Sequence, residues 1–386
     1  MNGFSRNGVI ATLAVATTLG FAACGGDDED AAAASADATA EGSAGGDAVT
    51  ITTSPVVSGR DQWERVDEER TPWLLDELKR VHPDLTIPLL PSGATGEFYK
   101  RVSLSTPRFA SARGGWRAIP WGEFHGTKDR KSGLLQSPAD ARGWPVYGGA
   151  SFDIWQPEAW KESGALSYVA DPQRGLKELQ RKRERSPVWR ANFRAEVIHD
   201  PGSLPVLQPR ILYRKVSRST DSRTVRCALV PPQVFSHEAA ISLIWPEGDE
   251  RDVAFLLGVL SSVPLDWFAR RRVEVNLNQY ILEALPIPRP GRSDDRWSRV
   301  VELSARLSCI DDRYSEFLER VGVAFRPATD DEKAEMVAEL DAVVSHLYGI
   351  TRDELEAVFN DFPATRAGVS PGRRAATLNW YDRWAS

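Results

Sequence analysis

The 386-residue sequence predicts an α+β fold, in which a mixed α/β region is followed by a helical C-terminal region and preceded by a disordered leader and linker. Three observations predict this. Residues 210–232 are rich in β-forming residues and are divided by a polar turn. Residues 294–321 and 330–348 have the apolar spacing of long amphipathic helices. Residues 25–47 consist mainly of Ala, Ser, Gly and Asp, a composition that buries too little apolar surface to fold.

The first 24 residues have the pattern of a lipoprotein signal segment. Arg6 provides a positive start, and residues 9–23 form an apolar run too short to span a bilayer. The segment ends in Phe21-Ala22-Ala23-Cys24, which is similar to a lipidation and cleavage site although a small aliphatic residue is usual in place of Phe21. Lipidation of Cys24 would anchor the protein to a membrane, with residues 25–60 as a low-complexity linker.

Charge is distributed unevenly along the chain. The formal net charge of −6 argues against a nucleic-acid partner, because non-specific DNA affinity comes mostly from cations that neutralise phosphates. However, residues 171–226 contain 14 Lys and Arg against 6 Asp and Glu, whereas residues 327–363 contain 2 against 10. A basic middle followed by an acidic helical end can serve a polyanionic partner despite the acidic total.

The mixed region begins with short elements. Residues 61–142 are placed only as a lead-in of uncertain role. Residues 145–154 predict a strand and a turn, and residues 176–194 predict a basic helix interrupted at Pro187. Residues 210–232 predict a β-hairpin with its turn at Ser219-Thr220-Asp221-Ser222.

Helical patterns follow the hairpin. Residues 252–272 predict a helix that Pro264 kinks or divides and that ends in three arginines. Residues 274–290 are predicted to be extended because prolines stop a helix there. After the two long amphipathic helices, a capping box starting at Thr351 predicts a short helix over residues 351–362.

The hairpin and the end of the following helix are densely cationic, and the next segment carries side-chain amides. Guanidinium groups suit phosphates and guanine edges because their fork donates two parallel hydrogen bonds, and amides can pair with adenine edges. The predicted DNA-binding residues are Arg210, Arg214, Lys215, Arg218, Arg223, Arg226, Arg270, Arg271, Arg272, Asn276, Asn278 and Gln279. The alternative is an ordinary solvated hairpin, with the amides satisfying turn backbone.

Four local motifs occur in the order found in one known family. They are Pro145-Val146-Tyr147-Gly148-Gly149 with Phe152-Asp153-Ile154-Trp155; the strand pair ending in Leu229-Val230-Pro231-Pro232; the run from Phe255-Leu256-Leu257-Gly258 through Asp266-Trp267 and Asn276-Leu277-Asn278 to Leu285-Pro286-Ile287-Pro288; and Glu339-Leu340-Asp341-Ala342 with His346-Leu347-Tyr348-Gly349-Ile350 and residues 359–363. With these motifs the chain resembles the C-terminal, TaqI-like specificity region of large adenine-specific DNA methyltransferases of the type IIG restriction-modification and BREX phage-exclusion kind. The resemblance implies a DNA target-recognition domain over residues 143–290 and a helical C-terminal region over residues 291–386.

The motifs of methyl transfer are not found in this sequence. The family uses Asn-Pro-Pro-Tyr or Asp-Pro-Pro-Tyr for a flipped adenine, and a glycine-containing loop for the methyl donor. Asn278-Gln279-Tyr280 lacks the prolines, and no helix is predicted directly after Gly148-Gly149. We therefore expect no catalysis from this chain alone and no cofactor bound to it. S-adenosylmethionine is expected in a methyltransferase domain or subunit, and double-stranded DNA is the expected partner.

Cysteines and histidines predict no metal site. Cys24, Cys227 and Cys309 are too few and too scattered for a disulfide framework or a zinc site, and the five histidines show no metal-ligand spacing.

The sequence gives two conflicting indications of where the protein is located in the cell. DNA recognition implies the cytoplasm, whereas the leader implies the cell envelope. We expect the cytoplasm, because the longer body carries the resemblance. The alternatives are a membrane-anchored lipoprotein of unknown ligand and a truncated gene product without activity.

Overall fold

A computed structural model describes residues 94–109, 119–139, 142–166, 168–244, 249–273, 275–362 and 369–385. They all belong to one unit, Thr86–Ser386. The predicted signal segment with Cys24, the predicted linker and residues 61–93 of the predicted lead-in lie outside the described residues.

The first half of the described chain alternates short strands and helices. In chain order it contains α1 (Ala94–Ser105), β1 (Ile119–Trp121), α2 (Gly126–Lys131), β2 (Leu135–Gln136), β3 (Trp144–Tyr147), α3 (Trp160–Ser163), β4 (Tyr168–Ala170), α4 (Pro172–Arg185), α5 (Pro187–Asn192), α6 (Ala195–His199), β5 (Arg210–Arg214), β6 (Cys227–Val230), β7 (Phe235–Ser236) and β8 (Ala240–Ile244). Two 3₁₀ turns, Pro201–Ser203 and Pro205–Leu207, precede β5.

The second half is helical. It contains α7 (Glu250–Ser261), α8 (Val263–Arg270), α9 (Gln279–Ala284), α10 (Asp295–Ser308), α11 (Ser315–Val321), α12 (Asp330–Leu347), α13 (Arg352–Asn360) and α14 (Pro371–Ala385). With the strands of the first half, these helices confirm the predicted α+β class.

The strands form two four-stranded sheets. One has the order β1-β8-β5-β6 and the other β2-β4-β3-β7. All pairs are antiparallel except β3 and β7, which are parallel. In the predicted hairpin, β5 pairs with β6 in a register that places Arg210 opposite Val230 and Tyr213 opposite Cys227. The hairpin prediction is therefore confirmed.

Local signals set the helix ends that the sequence predicted. The predicted helix over residues 252–272 divides at Ser262, where Pro264 enters the first turn of α8, and α7 and α8 meet at 60°. Ser262 caps α8 by accepting from the backbone N–H of Leu265. Capping boxes begin α12 at Thr329 and α13 at Thr351.

Two expectations are corrected. The segment 274–290, predicted to be extended, contains the six-residue helix α9, because the prolines begin only after it ends. The predicted helix over residues 294–321 is broken after Ser308, where Cys309 adopts an extended conformation. Asp311 then caps a 3₁₀ turn by accepting from the backbone N–H of Arg313 before α11 begins.

The largest apolar core joins the hairpin to the C-terminal helices. Ile211 and Leu229 belong to the same buried cluster as Trp297 and Leu340, so this core continues across the boundary predicted after Pro290. A second cluster contains residues of both sheets and of helices α4 and α5. The predicted domain limits themselves remain predictions.

Among the residues that the structure describes, no single helix is long and apolar enough to cross a membrane, although the bent pair α7 and α8 together has that length and composition.

Candidate nucleic-acid interface

The loop between β5 and β6, residues 215–226, is bound to helix α8 through a buried carboxylate. Asp266 of α8 is fully buried and accepts hydrogen bonds from the backbone N–H groups of Thr224, at 2.9 Å, and Val225, at 2.6 Å. The same carboxylate lies 3.5 Å from Nε of Arg223 and 3.3 Å from Nε of Arg270. Two guanidinium groups and two backbone N–H groups thus compensate the negative charge of one buried carboxylate.

The two guanidinium groups close the loop by donating to backbone carbonyls. Arg270 donates to the carbonyls of Ser219 and Asp221 at 2.6 Å each and of Ser222 at 2.7 Å. Desolvation by burial lowers the pKa of Arg270, although Asp266 opposes that shift.

Arg223 performs the corresponding role at the junction of α7 and α8. It donates to the carbonyls of Ser261 and Ser262 at 2.7 and 2.9 Å, which holds the loop against the break between the two helices. The backbone of residues 219–225 is therefore held by side chains that are almost completely buried.

The outer edge of the loop pairs with the segment that precedes α9. The backbone N–H of Ser217 donates to the carbonyl of Val275 at 3.0 Å, and that of Leu277 donates to the carbonyl of Lys215 at 2.7 Å. Val216 and Asn276 are opposite each other as an antiparallel bridge. We call residues 215–218 and 275–278 the exposed ribbon.

Cations and amides of the exposed ribbon are accessible. Arg218 is exposed and Lys215 half-buried. Within the described part of the chain, neither side chain forms an ion pair. Asn278 is the N-cap residue of α9, but its side chain makes no capping hydrogen bond. Next to the ribbon, Gln279 is exposed and donates to Oε1 of Glu283 at 2.8 Å. These groups leave donors and acceptors available to a ligand.

Three of the predicted DNA-binding arginines are buried, which corrects the expectation that they hold phosphates. Besides Arg223 and Arg270, Arg210 is buried and donates to Oε1 of Glu123 at 2.6 Å and to the carbonyl of Val234 at 2.7 Å. Glu123 also accepts from the backbone N–H of Ser236 at 2.7 Å, so this ion pair ties one sheet to the other. Guanidinium groups buried in this way have almost no surface for a phosphate.

Arg214 and Arg226 lie together against one carboxylate. Arg226 donates to Oδ2 of Asp153 at 2.8 Å, and Arg214 lies 3.5 Å from the same oxygen and donates to the carbonyl of Phe152. Desolvation by burial lowers the pKa of Arg214. Both side chains stabilise the turn after β3 and are less than one-fifth exposed. Their DNA contact stays a prediction.

The remaining two cations lie at the end of α8. Arg271 pairs with Asp361 and lies over the ring of Trp267, with its guanidinium carbon 4.3 Å from the ring centroid. Arg272 is half-buried and donates to the hydroxyl of Tyr99 at 3.1 Å. Arg271 is thus held against the C-terminal helices, and a DNA contact by either residue stays a prediction.

Three apolar residues of this surface were not singled out from the sequence as site residues. Val216 and Val275 lie on the exposed ribbon and Tyr280 in the first turn of α9, and all three are exposed. One sequence signal could have identified Val216. Ile211 and Tyr213 are two residues apart and therefore lie on one face of β5, whereas Val216, three residues after Tyr213, does not lie on that face. Val275 and Tyr280 had no comparable signal.

Metal-ligating side chains do not converge in the described ranges of the chain: no three His, Cys, Asp or Glu residues there form a group that could hold a metal ion.

Comparisons with solved structures give a weak similarity. No family model matches this chain, and no curated protein matches it. Among solved structures, the chain is similar to the type IIL restriction-modification enzyme MmeI in complex with DNA, with 13% sequence identity and a TM-score of 0.33. The match covers 69% of this chain but only 36% of the length of that one. A similarity of this size does not establish a shared activity.

Proposed function

We propose that this chain is the DNA sequence-recognition part of a site-specific adenine DNA methyltransferase of the restriction-modification or phage-defence kind. The observation that carries this proposal is the exposed ribbon. Its two segments are joined by backbone hydrogen bonds from Ser217 to Val275 and from Leu277 to Lys215, and the neighbouring loop backbone at Asp221 and Thr224 is bound by Arg270 and Asp266. The ribbon carries two cations that form no ion pair with a described residue, together with two side-chain amides. A rigid polar surface of this composition suits a nucleic acid.

Lys215 and Arg218 are the residues that we assign to the phosphate backbone. Both are accessible, and neither has to give up an ion pair with a described residue to contact DNA. Phosphate contacts fix the register of a protein on the duplex and make binding depend on salt, but they carry no sequence information.

Asn276, Asn278 and Gln279 are the residues that we assign to base edges. An amide can donate to N7 and accept from N6 of adenine at the same time, which no other short neutral side chain does as well. Asn276 and Asn278 are half-buried and Gln279 is exposed, so their amides are accessible from the ribbon surface.

Methyl transfer belongs, in this proposal, to a methyltransferase domain or subunit that binds S-adenosylmethionine and the flipped adenine. The chain described here would select the site, and that partner would perform the chemistry. A protein with this role works on cytoplasmic DNA.

The proposal is tested with the full chain and duplex oligonucleotides, by measuring affinity as a function of salt concentration. Each phosphate contact contributes about 0.9 to the slope of log affinity against log salt. The double variant Lys215→Ala with Arg218→Ala should therefore lower the magnitude of the slope by about 2 and weaken binding to all sequences alike.

A matched control removes the same charge elsewhere. Arg326 and Lys333 are exposed and pair with Glu332 and Asp330 near the start of α12. The double variant Arg326→Ala with Lys333→Ala should leave the salt slope unchanged. Absence of binding to any duplex at low ionic strength would overturn the proposed function, and equal slopes for both double variants would remove the ribbon from the interface.

A further inference from the structure

Among the described residues, the exposed ribbon and the helix α9 that follows it carry the most exposed large apolar side chains. Tyr280 is 65%, Val216 60% and Val275 53% exposed, ahead of Phe325 at 47%. A protein gains nothing for its own stability from apolar groups on an outer edge that is anchored and cannot fold inward. Val216 lies on the ribbon face that also carries Asn276, and its exposed side chain is available for a contact with another molecule.

Val216 and Asn276 form a directly opposed pair on this ribbon. The two backbone hydrogen bonds of the bridge lie on either side of them, between Ser217 and Val275 and between Leu277 and Lys215. Such a non-hydrogen-bonded pair has its Cα atoms about 4.5 Å apart and both side chains on the same face. One apolar group and one amide are therefore held side by side.

The major-groove edge of an A·T base pair has matching chemistry. Thymine presents its C5 methyl group, and adenine presents the N6 amino donor and the N7 acceptor. A G·C pair has no methyl group and a different order of donors and acceptors. The groove, about 12 Å wide, admits a two-stranded ribbon. Arg218, two residues after Val216 and exposed, adds to this face the positive charge that a flanking phosphate requires, and Lys215 lies at the same edge of the ribbon.

We infer that Val216 and Asn276 together recognise one A·T base pair from the major groove. Val216 contacts the thymine methyl group, and Asn276 pairs with N6 and N7 of adenine. The inference rests on the proposed function and adds to it: the target sequence contains at least one A·T pair that this ribbon specifies.

The test uses the full chain and a library of duplexes with a randomised central segment, from which bound duplexes are sequenced. Affinity for the enriched duplex is then measured with uracil in place of thymine, which deletes only the methyl group. At one A·T pair this change should lower the affinity of the unmodified protein about fourfold, the equivalent of one buried methyl group. At the same pair, 7-deazaadenine should lower it about fivefold by deleting one hydrogen bond.

Variants assign each effect to a residue. Val216→Ala should lose the sensitivity to uracil but keep that to 7-deazaadenine, and Asn276→Ala should show the reverse. Val188→Ala, at an exposed valine of α5, and Asn192→Ala, at a half-buried asparagine of the same helix, are the matched controls and should keep both sensitivities. Because each sensitivity is a ratio of two affinities of one protein, it does not depend on the fraction that is folded.

Three results overturn the inference while leaving duplex binding in place: an enriched sequence without an A·T pair, no enriched sequence, or equal sensitivity in the unmodified protein and both variants. Failure to bind any duplex at low ionic strength overturns the proposed function as well, so the two failures are distinguishable.

Discussion

Replacement of Asp266 by Asn tests whether the buried carboxylate holds the β5–β6 loop. The substitution keeps the shape of the side chain and removes its charge. It leaves Arg223 and Arg270 buried without a carboxylate, and the new amide group points a donor toward guanidinium and backbone N–H groups that are donors themselves.

The magnitude follows from the partners that remain. Removing one member of a buried ion pair costs about 3–5 kcal/mol, because the other charge is left uncompensated. Arg270 keeps three carbonyl acceptors and Arg223 keeps two, so the loss should lie at the lower end. We expect the free energy of unfolding to fall by about 3 kcal/mol, and the melting temperature by roughly 6–12 °C.

Urea unfolding followed by tryptophan fluorescence measures this loss, since the chain contains 13 Trp residues. Asp353→Asn is the control, because that carboxylate is exposed in the first turn of α13 and should change stability by less than about 0.5 kcal/mol. A loss below about 1 kcal/mol for Asp266→Asn would refute the anchoring role.

Two further predictions concern packing and pH. Gly258→Ala should lower the free energy of unfolding by about 1–3 kcal/mol, because a Cβ atom there would lie 2.2 Å from Oγ of Ser304 on α10; an unchanged urea midpoint would contradict this. Burial raises the pKa of Glu238, but hydrogen bonds from His237 and from the backbone N–H of Gly126 outweigh it and lower the pKa from 4.5 to about 2. Since the folded state holds this proton less tightly, the stabilisation is complete above pH 4.5 and is lost as pH falls toward 2. Urea midpoints against pH should therefore decline less steeply over that window for Glu238→Gln than for the unmodified protein.

The elements that the sequence predicted correctly depend on local signals. The hairpin has β-forming residues on both sides of a polar turn, the division of α7 from α8 follows from Pro264, and Thr329 and Thr351 begin helices through capping boxes. The helix α9 was missed because it has only six residues and lies next to a proline-rich segment. Its formation depends on the burial of Ile281 and Leu282 in the core, which is a tertiary effect.

The site was predicted less completely, because a count of cations does not show which of them are buried. Arg210 contacts Glu123, 87 residues away in sequence, and Arg223 contacts the end of α7, 38 residues away. Partners at such separations leave no local pattern. The sequence indicated Lys215 and Arg218 with the same weight as the buried arginines, and only burial distinguishes them.

The burial of arginines changes what the basic middle of the chain implies about binding. Part of its excess positive charge is compensated internally, by Glu123, Asp153 and Asp266, and does not reach the surface as free charge. If Lys215 and Arg218 are the phosphate contacts of the ribbon, this surface alone gives a salt slope of only about −2, far shallower than that of proteins that neutralise many phosphates. Weak phosphate binding leaves base contacts to provide a larger part of the affinity. On that account, a module of this kind would bind non-target DNA poorly, and its discrimination would depend on the few side chains of the ribbon that contact base edges.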